Sequence, residues 1–130
     1  MRKEDPAWRF ALGGSPVTDG HVVRVATEDG IEGFGYASAT PHMGSTKDTL
    51  KAELELFRPL IIGKDARGIE AILKALDRGL RGAPQAKAAI DCALHDRLAR
   101  SLGVSLNVLF GGTVRDCVPL LRIVAIKTPA

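Results

Sequence analysis

Cysteine is scarce in this sequence, and long apolar runs are absent. The two cysteines, Cys92 and Cys117, are too few and too isolated for a disulfide framework or a Cys-x-x-Cys metal site, so we expect both to be reduced packing thiols. No apolar run approaches the roughly 20 residues of a membrane span, and the segment MRKEDPAWRF has no apolar stretch of the signal-peptide kind. A cytoplasmic protein with no membrane partner is therefore expected.

Charge of one sign is not concentrated in any segment. Lys and Arg number 18 against 15 Asp and Glu, which gives a net charge of +3, and the two signs are interspersed along the chain. A nucleic-acid-binding surface needs clustered basic residues, so nucleic acid is not an expected partner. The length of 130 residues and the apolar content of 45% fit one globular domain.

Residues 21–37, HVVRVATEDGIEGFGYA, contain the clearest local pattern. Two runs of β-forming residues flank Asp29-Gly30, which suits a two-residue type I′ turn and predicts a β-hairpin. Pairing Glu28 with Ile31 would define its register. One face, expected to meet the core, would then carry Val23, Val25, Phe34 and Tyr36. The other face, smooth enough for close approach, would carry Arg24, Ala26, Gly33 and Gly35.

Three stretches of helical periodicity follow the hairpin. Ser45 is expected to cap the first helix and Asp65 the second, and the third is predicted over 85–102, where Gly103 stops it. The apolar stripes that would form a helical core contain Leu50, Leu54, Phe57 and Ile61 in the first helix, Ile69, Ile72, Leu73, Leu76 and Leu80 in the second, and Ala86, Ala89, Ile90, Ala93, Leu94, Leu98 and Leu102 in the third.

The stretch AAIDCALHDR, at 88–97, gathers two acids, a thiol and an imidazole on the third helix. Asp91 and His95 lie at i and i+4 on one side, which permits a metal contact or an acid/base pair. The four polar groups do not converge, however, and a metal site usually needs three or four ligands. The favoured interpretation is a buried Asp91 that is hydrogen-bonded across the bundle, with His95 at its edge.

Two arginines on the same helix have different expected surroundings. Arg100 can pair with Asp96, four residues earlier on the helix surface. Arg97 projects into the apolar side of the helix, so its guanidinium requires a partner that the sequence does not identify.

The third helix also carries a family pattern. From 86 to 112, AKAAIDCALHDRLARSLGVSLNVLFGG resembles the N-terminal-domain signature of the mandelate racemase and muconate lactonizing enzyme group of the enolase superfamily. VRVATEDGIEGFGYA and RPLIIGKDARGIEAI are similar to the family's hairpin and to the stretch before its second helix. Arg97 and Phe110 depart from the pattern, since the family has smaller or apolar residues there. The structural signature residues are Asp91, Asp96, Arg100 and Gly111.

The resemblance implies an α+β fold, in which an antiparallel β-hairpin or meander is followed by a three-helix bundle that caps a (β/α)7β barrel. Residues 1–117 would form the cap and 118–130 would begin the barrel, with the apolar run LLRIVAI at 120–126 as its first strand. A (β/α)8-type barrel takes about 250 residues, which this sequence does not contain. Family members begin with a strand that MRKEDPA does not supply, and this would leave 21–28 as an exposed edge.

The resemblance also implies where the chemistry lies. In the family, the catalytic lysines, the acidic Mg²⁺ ligands and the catalytic His or Lys are on later barrel strands. Mg²⁺ is therefore the cofactor of the full-length family, and neither a catalytic residue nor a metal ligand is expected in this chain. Lys127 follows the first barrel strand and is expected to be a solvated or end-of-strand lysine.

Two loops of the family's cap close over the substrate and tune specificity. By position they correspond to WRFALGGSPVTD at 8–19 and SATPHMGS at 38–45. Their aromatic, apolar and ionisable side chains suit a lid that excludes water and meets an acid substrate, although Trp8 and Phe10 could equally pack on the domain. The expected substrate-binding residues are Trp8, Arg9, Phe10, His42 and Met43.

The leading hypothesis is a substrate-specificity cap, inactive alone, of a Mg²⁺-dependent enzyme that abstracts a proton α to a carboxylate, as a racemase, dehydratase or cycloisomerase. The expected partners are the barrel domain, a small carboxylate substrate and further copies in a homo-oligomer. The alternative is a non-catalytic interaction or oligomerisation module that pairs through exposed strand edges. The sequence does not identify the substrate.

Overall fold

The structure, a computed structural model, describes residues 18–121. Two strands, β1 (Gly20–Ala26) and β2 (Glu32–Ser38), form an antiparallel sheet. A 3₁₀ turn at Pro41–Met43 then leads to helices α1 (Lys47–Ile61), α2 (Ile69–Gly79), α3 (Pro84–Leu102) and the single turn α4 (Leu106–Leu109). The predicted α+β class, a hairpin followed by three main helices, is confirmed.

The hairpin loop is one residue longer than predicted. Gly30, at φ 78°, donates its N–H to the Thr27 carbonyl at 2.9 Å, and the Thr27 N–H bonds to the Ile31 carbonyl at 3.2 Å. This is a tight turn followed by a left-handed glycine, which connects the strands through three residues, 28–30. The two-residue type I′ turn was therefore a wrong prediction, and so was the register derived from it.

The corrected register turns the other side of β2 toward the core. Val23 lies opposite Gly35 and Val25 opposite Gly33. Because side chains alternate along a strand, Phe34 then points outward, where it is 43% exposed. Tyr36, 52% exposed, does the same. The expectation that these two aromatic residues meet the core was wrong.

The glycines of β2 allow α3 to approach the sheet closely. A Cβ at Gly35 would lie 1.9 Å from the Ala89 carbonyl oxygen, and one at Gly33 would lie 2.1 Å from that of Ala93. No side chain fits in that space, so β2 and α3 are in contact through their backbones. The smooth glycine surface predicted for close approach is present, but it belongs to the face that carries Val23 and Val25.

The three main helices bury most of their predicted stripes. The largest fully buried side chains are Leu50, Phe57, Leu76, Ile90 and Leu94, and they come from all three helices. Burying each of them contributes about 1.5 to 3 kcal/mol relative to exposure. Leu102, which was expected in the stripe of α3, is 58% exposed because α3 ends at that residue.

Two predicted helix caps are wrong. Thr46 caps α1: its hydroxyl accepts the Thr49 N–H at 3.2 Å, and the Thr49 hydroxyl accepts the Thr46 N–H at 2.8 Å. This reciprocal pair satisfies two backbone donors, and Ser45 is buried beside it instead of capping. Helix α2 has no side-chain cap, since Asp65 lies too far before it and binds Arg67 at 2.8 Å.

Residues 111–121 follow α4 and are exposed. Gly111, at φ 100°, ends α4 in a conformation that favours glycine. No helix or strand follows within the described range, and Leu120 and Leu121 are 93% and 88% exposed. The strand over 120–126 stays a prediction, because most of it lies outside the described range. The other residues of that predicted strand and Lys127 lie outside the described range. The segment MRKEDPA, which was predicted not to supply the family's first strand, lies outside it too.

Candidate functional site

The acid and imidazole that suggested chemistry on α3 contact one another. His95 Nδ1 lies 2.8 Å from Asp91 Oδ1, and the imidazole packs on the Phe110 ring with 5.1 Å between ring centroids. The Asp91 side chain is 41% exposed and the His95 side chain 25%. Asp91 therefore contacts its own helix, and the expectation of a buried hydrogen bond across the bundle was wrong.

The described residues do not gather further ligands around this pair. Within residues 18–121, no group of three or more His, Cys, Asp or Glu side chains is placed to hold a metal ion. Cys92 and Cys117 are both unpaired and exposed, so the expectation that they are packing thiols was wrong. In the same part of the chain, no helix is long and apolar enough to cross a membrane.

Asp96 connects α3 to the outer edge of β2. Its Oδ2 accepts the Phe34 backbone N–H at 2.9 Å and the Arg100 Nε–H at 3.0 Å. The Arg100 guanidinium also lies over the Phe34 ring, 5.7 Å from its centroid. The predicted Asp96–Arg100 pair is confirmed, and the contact with the hairpin adds a long-range role that the sequence did not reveal.

The surroundings of Asp96 favour its ionised form. Desolvation opposes ionisation and by itself raises the pKa of this carboxyl. The hydrogen bonds from the Phe34 N–H and from Arg100, together with the charge of Arg100, outweigh desolvation, so the pKa of Asp96 lies below its usual value. Asp96 is therefore a charged clamp at neutral pH and has no proton to donate.

The partner that Arg97 required is the hairpin turn. Arg97 is buried, its Nε donates to Thr27 Oγ1 at 3.0 Å, and its Nη2 donates to Asp29 Oδ2 at 2.5 Å. The other oxygen of Asp29 accepts the Thr27 hydroxyl and, at 3.1 Å, the Ile31 N–H. The hydrogen bonds from Thr27 and Ile31, with a smaller contribution from Arg97, lower the pKa of Asp29.

Thr27 and Asp29 were not among the candidate residues of the sequence, although a local signal was present. A threonine and an aspartate that flank a hairpin turn commonly bind nearby backbone groups. That pattern indicates an ordered turn, but it does not reveal that Asp29 binds an arginine on a helix 68 positions away. The three polar side chains together fasten the tip of the hairpin to α3.

The loop between β2 and α1 is fixed at its base. Ser45 donates its N–H to the Thr40 carbonyl at 3.3 Å, and the Gln85 side chain of α3 donates to the Thr40 hydroxyl at 3.4 Å. His42 and Met43 lie in the 3₁₀ turn between these anchors and are both exposed, Met43 by 69%. Of the other predicted loop, the residues Trp8, Arg9 and Phe10 lie outside the described range.

The pattern on α3 has counterparts in known proteins. Residues 7–111 match the model of the mandelate racemase / muconate lactonizing enzyme N-terminal domain. The chain belongs to this family. Within the matched range, Asp96 bonds to the hairpin and to Arg100, and Arg97 bonds to the hairpin turn.

Members of the mandelate racemase and muconate lactonizing enzyme family are similar to this chain in both sequence and structure. A chloromuconate cycloisomerase from Cupriavidus necator is 38% identical over 104 residues, which cover 77% of this chain and 28% of that protein. The structure of N-succinyl Arg/Lys racemase from Bacillus cereus matches with a TM-score of 0.87 at 28% identity, over 92% of this chain and 33% of that one. The chain spans about a third of the length of these relatives.

A third relative was solved with a metal ion. A mandelate racemase/muconate lactonizing enzyme from Roseovarius nubinhibens, complexed with magnesium, matches with a TM-score of 0.86 at 28% identity. The match covers 93% of this chain and 33% of the relative. Magnesium thus occurs in a homologue of which about two thirds lies outside the part that this chain matches.

Proposed function

We propose that this chain is the substrate-specificity cap of a Mg²⁺-dependent enolase-superfamily enzyme and is inactive by itself. The observation that carries the proposal is the match of residues 7–111 to the family's N-terminal domain. The relatives are about three times as long, and they include a cycloisomerase and a racemase. The whole protein would abstract a proton α to a carboxylate, as a racemase, dehydratase or cycloisomerase.

The loop at 38–45 supports the role of a lid. Its base is anchored to α3 through Gln85 and Thr40, while His42 and Met43 remain exposed at its tip. An imidazole N–H suits a carboxylate acceptor, and a thioether side chain displaces water from a closed site. Trp8, Arg9 and Phe10 would supply the second half of the lid, on the basis of sequence position alone.

The chemistry of the cap itself would be limited to binding and to exclusion of water. When bound in the full-length enzyme, Mg²⁺ would stabilise the negative charge that develops on the substrate carboxylate. Residues 18–121 provide no ligand set that fits Mg²⁺, and no catalytic step is assigned to them. The domain boundary at 117, the homo-oligomer and the cytoplasmic location stay predictions.

A chimeric enzyme tests the cap role. Residues 1–117 replace the corresponding segment of the Bacillus cereus racemase, and steady-state kinetics are measured for chimeras that unfold cooperatively. Replacing His42 and Met43 with alanine should lower kcat/KM about tenfold, mainly through KM, because contacts that bind the substrate are removed. Lys74→Ala, on the exposed side of α2, is the matched control. Equal losses in both variants would exclude the lid role.

The inactivity of the chain alone has a direct test. The isolated chain is incubated in D₂O with Mg²⁺ and N-succinyl-arginine, and proton NMR follows the substrate's α-hydrogen. We expect no exchange above the rate of the buffer, because the residues that move the proton would lie in the barrel. Catalysed exchange would place the chemistry in this chain and contradict the proposal.

A further inference from the structure

The loop at 38–45 is attached to the first strand of the hairpin at both of its ends. Ala39, near the start of the loop, donates its N–H to the Asp19 carbonyl at 2.8 Å. Just after the loop, the Lys47 carbonyl accepts a hydrogen bond from His21 Nε2 at 2.9 Å. Asp19 directly precedes β1 and His21 lies in it. Because these contacts lie outside the 3₁₀ turn, the orientation of that turn depends on bonds inside the loop.

Inside the loop, several hydrogen bonds share Thr40. Its carbonyl accepts the N–H groups of Met43 at 2.8 Å and of Ser45 at 3.3 Å, which closes the turn. Its hydroxyl accepts the side-chain amide of Gln85, the second residue of α3, at 3.4 Å. That distance is at the long end of the hydrogen-bond range, so the bond contributes little to the stability of the whole domain. Such a bond acts locally, on the position of Thr40 and of the turn that follows it.

The start of α3 is held in one direction by an unusual backbone conformation. Ala83, at φ 54°, is the one non-glycine residue with a positive φ among residues 18–121. This conformation is unfavourable for a residue with a Cβ and persists only where surrounding contacts impose it. Ala83 packs against the core, and Pro84, the first residue of the helix, has a fixed φ. The helix therefore starts in a defined direction, which brings Gln85 to the base of the loop.

We propose that Gln85 is a positioning residue of the cap: it holds Thr40 and thereby sets the direction of the 3₁₀ turn at Pro41–Met43. The inference rests on the proposed lid role of the loop at 38–45 and adds the residue that orients the lid. Gln85 acts through Thr40, because its amide bonds to the base of the loop and not to the exposed tip. Loss of this bond leaves the loop attached at both ends, so the fold persists while the turn gains freedom to reorient.

The first part of the test uses the full chain without substrate. Gln85→Ala and Thr40→Val each remove one partner of the bond, and each should speed exchange of the Ser45 amide hydrogen about three- to tenfold, as read by NMR. The isotope-labelled methyl group of Met43 should gain motion in the same two variants. The double variant should behave like either single variant, because the same bond is lost in all three.

Two further variants separate the hydrogen bond from packing. Thr40→Ser keeps the hydroxyl and loses a methyl group, whereas Thr40→Val loses the hydroxyl, so only the valine variant should loosen the loop. Ser45→Ala is the matched control, because the Ser45 hydroxyl is buried in the same loop base and forms no hydrogen bond within the described residues. Equal loosening in Thr40→Ser or in Ser45→Ala would overturn the proposal, and so would additive effects in the double variant.

The second part measures substrate binding in the chimera with the Bacillus cereus racemase. Gln85→Ala should raise KM about three- to fivefold and leave kcat nearly unchanged, because the contacts of the lid remain but are poorly oriented. An unchanged KM, in a chimera where the His42 and Met43 double variant raises it, would overturn the positioning role and leave the lid role standing. If that double variant also leaves KM unchanged, the lid role fails, and the inference that rests on it falls as well.

Discussion

Two polar groups on α3 consist of the same kinds of residue but have different surroundings. Asp91 and His95 contact each other and Phe110, all within one helix and the turn that follows it. Asp96 and Arg97 bind residues of the hairpin that lie 62 to 70 positions earlier. Residue type does not distinguish the groups, since each contains an acid and a base. The difference lies in the long-range partners, which give only the second group a role in holding the fold together.

The largest loss of stability is expected from a substitution at the contact between α3 and β2. Gly35→Ala would put a Cβ 1.9 Å from the Ala89 carbonyl and separate the two backbones. We expect a loss of about 3 kcal/mol or more in the free energy of unfolding, because a rigid helix must move. Gly68→Ala, whose Cβ would have a nearest neighbour at 3.3 Å, is the control for urea denaturation. Similar losses in both variants would mean that the close approach is not critical.

The second-largest loss of stability is expected from a substitution of Arg97, which belongs to the group that binds the hairpin. Arg97→Ala removes a buried guanidinium and both of its bonds to the hairpin turn. The expected cost is about 2 to 3 kcal/mol, from lost packing and unpaired polar groups. Arg100→Ala is the matched control because its side chain is 56% exposed, and it should cost less than about 1 kcal/mol. Equal costs would show that the tether to the turn contributes little.

The sequence predicted the elements of the fold better than their register. The stripes of α1, α2 and α3 follow from helical periodicity, and Gly103 ends α3 as expected. Asp29-Gly30 is compatible with both a two-residue and a three-residue loop, so local composition could not select the register. That single residue decides which side of β2 meets the core, and it accounts for the wrong placement of Phe34 and Tyr36.

The contacts of the site were less predictable than the helices that carry them. Periodicity placed Arg97 on the apolar side of α3 and showed that it needed a partner. The partner is 68 residues away and depends on how the sheet packs on the helix, which no local pattern encodes. The Asp96–Arg100 pair was predictable because its members are four residues apart on one helix.

A smaller loss of stability is expected from a substitution of Asp96, which also binds the hairpin. Asp96→Ala leaves the Phe34 N–H at the edge of β2 without its acceptor. We expect a loss of about 1 to 2 kcal/mol at pH 7 and faster amide exchange at Phe34. Asp48→Ala, an exposed acid in the first turn of α1, tests whether any lost carboxylate has this effect. Unchanged exchange at Phe34 would show that this bond does not protect the edge.

The same residue predicts the direction of the pH dependence. Because the pKa of folded Asp96 lies below the ordinary value of 3.8, the ionised carboxylate stabilises the folded state. That contribution is fully present above the unfolded pKa and is lost as the pH falls through the folded pKa. The stability gap between the natural chain and Asp96→Asn should therefore be constant near neutral pH and shrink below about pH 4. A gap that widens on acidification would contradict this sign.

The smallest effect is expected for Asp91, although it lies only five residues before Asp96 on α3. Asp91→Ala removes a partly exposed contact with His95, whose ring also packs on Phe110. A pair of oppositely charged groups four residues apart on one helix contributes about 0.3 to 0.5 kcal/mol, so the free energy of unfolding should change by less than about 0.5 kcal/mol. A loss as large as that of Asp96→Ala would mean that Asp91 has a partner in the folded chain besides His95. A small loss would establish that position relative to the hairpin, and not the acid itself, makes one aspartate structural and leaves the other dispensable for folding.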